Sequence, residues 1–166
     1  MGVQTWQEVL VVQEGAGTSF GTYTTAKTVI NPQALVVLPA GFFYIGKRLR
    51  ISVMGGLGTL VTTPGTITFQ VMLGSVIAFT SGAIQLNATA HTNLPFELRV
   101  ELTCRAVGNS TNANLMGMAI ATGVMFTNTA AQTDGSNTNT IKNVPATAPA
   151  VGTGFDSTVA NILDFF

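Results

Sequence analysis

Eleven consecutive residues obey a strict period of two. Phe96, Leu98, Val100, Leu102, Cys104 and Ala106 alternate with Glu97, Arg99, Glu101, Thr103 and Arg105. A helix would scatter that apolar set around its axis, whereas a strand turns alternate side chains to opposite faces. The run predicts a strand over residues 96–107 with one buried and one solvated face. Residues 47–54 repeat the pattern, with Leu49, Ile51 and Val53 inward and Arg48, Arg50 and Ser52 outward. Residues 66–73 follow, with Ile67, Phe69, Val71 and Leu73 inward. A fourth strand, residues 115–126, places Gly117, Ala119, Ala121 and Gly123 on one face and Met116, Met118, Ile120, Val124 and Phe126 on most of the other. Its small-residue face implies close approach of another backbone, sheet or subunit. The expected core is Leu49, Ile51, Phe69, Val71, Leu98, Val100, Leu102 and Ile120.

Turn chemistry separates these runs. Thr63-Pro64-Gly65-Thr66 has the type II preference and predicts a hairpin joining residues 60–62 to 66–73. Gly74-Ser75 leads into a strand at 76–80, and Ser81-Gly82 into one at 83–86. Residues 8–13 read as a short apolar strand, 21–29 as a weaker Thr-rich one, and 140–144 as an edge strand in a long polar excursion. Pro32 and Pro39 bracket residues 35–38 too closely for a helix. The end of the chain is ambiguous. Val159, Ile162, Leu163 and Phe166 match helical spacing behind an Asp156 or Ser157 cap, while a strand would point Leu163 and Phe165 one way. Eight or nine short strands with turns at short intervals describe an all-β sandwich or barrel in a chain of one-domain length, 166 residues.

Composition narrows the chemistry. The chain has 25 Thr, 18 Gly and 11 Asn but only seven basic and seven acidic residues. A formal net charge of +0 argues against nucleic-acid binding, which needs a cationic face. No run reaches the ~20 apolar residues of a spanning helix, so no membrane segment is predicted. No basic region precedes an apolar run at the start, so no signal peptide is predicted. One cysteine, Cys104, and one histidine, His91, leave little for disulfides, zinc sites or nucleophile–base pairs.

The candidate motifs weaken one by one. Gly15-Ala16-Gly17-Thr18-Ser19-Phe20-Gly21 has the wrong spacing for a dinucleotide loop, and no amphipathic helix follows. Glu97 and Glu101 stand about 13 Å apart on one strand face, too far for a glycosidase pair. With Arg99 and Arg105 they predict a cross-strand ion-pair ladder. Asp134-Gly135-Ser136-Asn137-Thr138-Asn139 lacks the closing carboxylate of a calcium loop. Two glycosylation sequons, at Asn87 and Asn109, are what this composition produces by chance. Cys104 reads as a core residue and His91 as a solvated loop residue. No enzymatic activity, cofactor or metal is expected.

The charges are distributed unevenly. Seven of the fourteen fall in residues 47–50 and 97–105, and residues 51–96 carry none. Uncharged surface on that scale predicts an interface. Trp6, Val9, Leu10, Val11, Val12, Phe165 and Phe166 are the candidate contact residues, with residues 1–20 as a partner-docking segment and 21–166 as one domain.

Residues 36–54 (VVLPAGFFYIGKRLRISVM), 63–86 (TPGTITFQVMLGSVIAFTSGAIQL), 94–108 (LPFELRVELTCRAVG) and 155–165 (FDSTVANILDF) together resemble a family of small tailed-bacteriophage virion proteins. The resemblance spans residues 35–166. It implies a single jelly-roll β-sandwich of about eight antiparallel strands, akin to tumour-necrosis-factor-like trimers. It also implies a place on the capsid exterior as a head decoration, fibre or spike component. In that family the last strand continues past the position of Phe166, so the resemblance implies a strand, shortened here, over 163–166. The resulting expectation is a homotrimer on the major capsid protein lattice of a virion. The alternative is a carbohydrate- or receptor-binding module, although one Trp and two Tyr offer few rings for sugar stacking.

Overall fold

The computed structural model describes residues 7–19, 21, 25–59, 65–87, 90–127, 141–146 and 149–166. Among them are eleven strands: β1 (Val36–Leu38), β2 (Arg48–Thr59), β3 (Thr66–Ile67), β4 (Gln70–Leu73), β5 (Val76–Thr80), β6 (Ile84–Gln85), β7 (His91–Ala106), β8 (Asn114–Gly123), β9 (Ile141–Val144), β10 (Ala150–Val151) and β11 (Asn161–Phe165). Three of these are two-residue pieces, which leaves eight of three residues or more. The one helical element among the described residues is the 3-10 turn Pro32–Ala34.

Every pairing is antiparallel. One sheet runs β1-β11-β4-β5, the facing sheet runs β10-β8-β7-β2 with β9 also on β8, and β3 pairs β6. The chain is an all-β antiparallel sandwich. Its inner faces meet through Leu98, Val100, Leu102 and Cys104 of β7, Val71 and Leu73 of β4, and Phe79 of β5, all buried. Phe69 stacks between Phe96 and Phe165, with ring centroids 5.5 and 6.0 Å away. One lateral side is sewn shut. The Gly152 N–H donates to Leu115 O of β8 at 2.8 Å and the Thr153 N–H to Ile77 O of β5 at 3.2 Å. The opposite side carries β1 and β2.

The alternating runs become β2, β4, β7 and β8, and seven of the eight expected core residues turn inward; Leu49 is buried and Ile51 half-buried. Ile120 is the exception and points outward. Pairing decides this. Leu98, Val100 and Leu102 stand opposite Ala121, Ala119 and Gly117, so the small residues share the core face of β7. The close approach implied by that small face is made by Phe79 of the facing sheet. A Cβ on Gly117 would lie 2.7 Å from Phe79 Cδ2.

Other elements differ from the sequence reading. β2 continues five residues past Met54, because Gly55, Gly56, Leu57 and Thr59 keep pairing with β7 despite lacking alternation. The 66–73 run is divided. The Ser81 hydroxyl accepts the Phe69 N–H at 2.9 Å, while β3 leaves to pair β6. Residues 8–13 form no ladder, and residues 25–29 are not a strand. His91 opens β7 rather than sitting in a loop, and its Nε2 lies 2.8 Å from Asn87 Oδ1. The predicted edge strand at 140–144 is β9, and the ambiguous end is the strand β11. Residues 60–62 of the predicted hairpin, residues 134–139 and Trp6 lie outside the described residues.

Candidate functional site

The outer face of the β2–β7–β8 sheet carries six of the fourteen charged residues, Arg48, Arg50, Glu97, Arg99, Glu101 and Arg105. Arg50 stands directly opposite Glu101, and its Nη2 lies 2.7 Å from Glu101 Oε1. Arg99 Nε donates to Glu97 Oε1 at 2.6 Å along the same strand. The expected ladder is therefore one cross-strand pair and one along-strand pair. Both are exposed, so each contributes at most about 1 kcal/mol. Beside them a shallow depression of about 170 Å³ is lined by Glu97, Arg99, Ile120 and Thr122. The one carboxylate and the one guanidinium in its lining, those of Glu97 and Arg99, are paired with each other.

The remaining reactive side chains are engaged structurally. Cys104 is buried on β7, where desolvation pushes its thiol pKa up against a smaller lowering by backbone hydrogen bonding with Ala106. A thiol held protonated is a poor nucleophile and ligand. Asp156 is held below the usual carboxylate range by the Thr158 hydroxyl, then by the Ser110 and Thr158 amides. It ties the 109–112 turn to the 155–160 segment, where Ser157 also bonds Gly108. Lys142 is buried on the core side of β9 opposite Ala121, and it is not a free charge. Among the described residues no three His, Cys, Asp or Glu side chains gather in metal-binding range.

What the fold leaves open is apolar. Val9, Leu10, Val11 and Val12 are exposed, and residues 7–12 form no backbone hydrogen bond with the other described residues. The chain is anchored just behind them. Gln13 Oε1 accepts the Asn31 N–H at 3.1 Å, the Thr18 N–H donates to Val29 O at 3.2 Å, and the Val29 N–H donates to Phe165 O at 2.9 Å. Phe165, expected at an interface, is 2% exposed and packs on Phe69, so its ring serves the core. Phe166 is half-buried, held by reciprocal backbone bonds to Gln70.

The sequence reading missed three further exposed sets. Tyr44 and Ile45 lie on the 39–47 connection, joined to the neighbouring segments by Gly46 N–H to Cys104 O and Gly41 N–H to Ser157 O; Val107 and Val159 border the same end. Val37 and Ile162 face each other across β1 and β11. Met118, Ile120, Ile141 and Val151 line the outer side of β8 and its partners. The uncharged stretch 51–96 is not among these. Among its described residues it exposes one large apolar side chain, Met54, and its other exposed residues are Gly, Ser, Thr, Asn, Ala and Pro. Only Tyr44-Ile45, two bulky residues in a turn-bounded connection, had a signal in the sequence. Comparison with family models, with curated proteins and with solved structures finds no match to this chain.

Proposed function

We propose that this chain is a structural virion protein that decorates the exterior of a tailed-bacteriophage head as a homotrimer seated on the major capsid protein lattice. The observation that carries the assembly reading is the unpacked apolar segment Val9, Leu10, Val11 and Val12, anchored to the domain immediately behind it. A soluble chain does not keep four such residues in water without a surface to receive them. The exposed sets at Tyr44 and Ile45, and along β8, supply further contact area on other sides. The pairing of β1 with β11, and of β2 with β7 around the β4–β5 hairpin, supports a jelly-roll winding. The virion assignment itself rests on the sequence resemblance over residues 35–166, and fold alone does not select it.

The chemistry of the surface fits a passive role. Among the described residues Glu97 and Glu101 are paired with arginines, Cys104 and Lys142 are buried, and Asp156 caps a turn. The competing reading, a sugar-binding module, has one favourable feature, the exposed Tyr44. Light scattering at micromolar protein should give three times 17.3 kDa, and the purified protein should sediment with heads stripped of it. A monomer that binds glycans through Tyr44 and ignores stripped heads would replace this reading with the other.

A further inference from the structure

β2 is an open edge. It pairs β7 on one side, and among the described residues no backbone group bonds its other side. The Cys104 N–H bonds Lys47 O at 2.8 Å, which fixes the phase of the ladder. Leu49, Ile51, Val53, Gly55 and Leu57 turn their peptide groups toward β7, and Arg48, Arg50, Ser52, Met54 and Gly56 turn theirs outward. An edge of twelve residues is a ready template for another strand. Only its first three residues carry protecting charge, Arg48 and Arg50, and Met54 beyond them is 79% exposed.

The same molecule carries a matching strand. Residues 8–13, Glu-Val-Leu-Val-Val-Gln, are rich in β-branched residues, contain no proline and make no backbone hydrogen bond among the described residues. Extended, residues 7–13 reach about 23 Å from their anchor. That anchor, residues 13–18 against 29–31, lies beside β11 on the β1 side of its sheet, hence on the lateral side where β2 is open. Glu8 and Glu14 flank the apolar run, and the edge offers Arg48, which makes no ion pair among the described residues, with Arg50 beside it. We infer that residues 8–13 of one copy add as a strand to the open edge of β2 in a second copy. Donor and acceptor on one side let each copy in a closed ring give and receive an arm.

The inference rests on the homo-oligomer reading, and the test separates the two. Val11→Pro with Val12→Pro removes both phases of arm donors from exposed residues outside the core. Ser52→Pro removes a donor that faces away from β7, a position where an edge strand accepts proline. Both variants should keep the wild-type melting curve and associate at least tenfold more weakly by light scattering. Val11→Cys or Val12→Cys combined with Met54→Cys should give covalent oligomers on a non-reducing gel. Wild-type mass in the arm variant, or bridges confined within one chain, overturns the strand addition and leaves the homo-oligomer standing. A wild-type monomer at micromolar concentration overturns both. If Ser52→Pro fails to fold, the arm variant and the cross-link decide.

Discussion

Glycine 117 shows how one missing side chain shapes the sandwich. Its Cα faces the core, with Leu102 and Phe79 occupying the space a methyl group would take. Both neighbours are fully buried, so neither has room to withdraw. Gly117→Ala should therefore destabilise the fold by roughly 1–3 kcal/mol through overpacking, against an opposing backbone-entropy gain of about 0.5–1 kcal/mol. Urea unfolding reads the difference, and a stabilised variant would show that Phe79 does not fill this site. Asp156 gives the residue-scale pH effect. Hydrogen bonds to its charged form lower its native pKa below its ordinary value of 3.8. Its contribution is present above that unfolded value and is lost as pH falls through the lowered native one. Asp156→Asn should lower stability at neutral pH and flatten the curve below about pH 4, so that variant and wild type converge in acid. An unaltered acid limb would mean that another carboxylate governs it.

At the level of elements, alternation was legible wherever one face was polar. β7 and the first half of β2 could be read directly, because Glu, Arg and Ser mark the solvated side. β8 could not be oriented, since both of its faces are apolar. Its direction depends on register with β7 and on the volume that Phe79 needs, and neither is a local property of residues 114–123. The Gly-rich end of β2 was missed for the same reason: Gly55 and Gly56 are held by pairing with β7 rather than by propensity. The arm at residues 8–13 has strand composition but no strand partner among the described residues, so composition alone overstated it. Phe165 was misjudged because two terminal aromatics look alike until a strand sends them to opposite sides. The two faces of β7 also predict unequal energetics. Leu102→Ala should cost about 2–5 kcal/mol, as buried leucines do. Glu101→Ala, which breaks the exposed pair with Arg50, should cost less than about 1 kcal/mol. Denaturant midpoints for the two variants check this, and comparable losses would mean that the outer face is covered in the isolated protein.

For the whole molecule, the question is how a small, nearly uncharged domain would hold a shell. Without strong ion pairs to offer, each copy depends on modest apolar contacts such as those around Tyr44 and Ile45 or along β8. A single contact of that size binds weakly, because association first loses translational and rotational freedom. Three copies joined as a ring change the arithmetic. Once one copy is seated, the others meet their sites at a high effective concentration, and avidity exceeds the single-site affinity by roughly 10²–10⁴. Binding only the assembled shell, the protein would also raise the temperature at which the shell comes apart, by the linkage that any ligand of a native state exerts. Heads saturated with the trimer should therefore rupture at a higher temperature than stripped heads. The arm variant carrying Val11→Pro and Val12→Pro keeps every other contact surface, so it should bind at least 10²-fold more weakly and protect only at correspondingly higher concentration. Equal protection by that variant at equal concentration would show that each copy binds the shell alone, and that joining copies adds nothing to the hold.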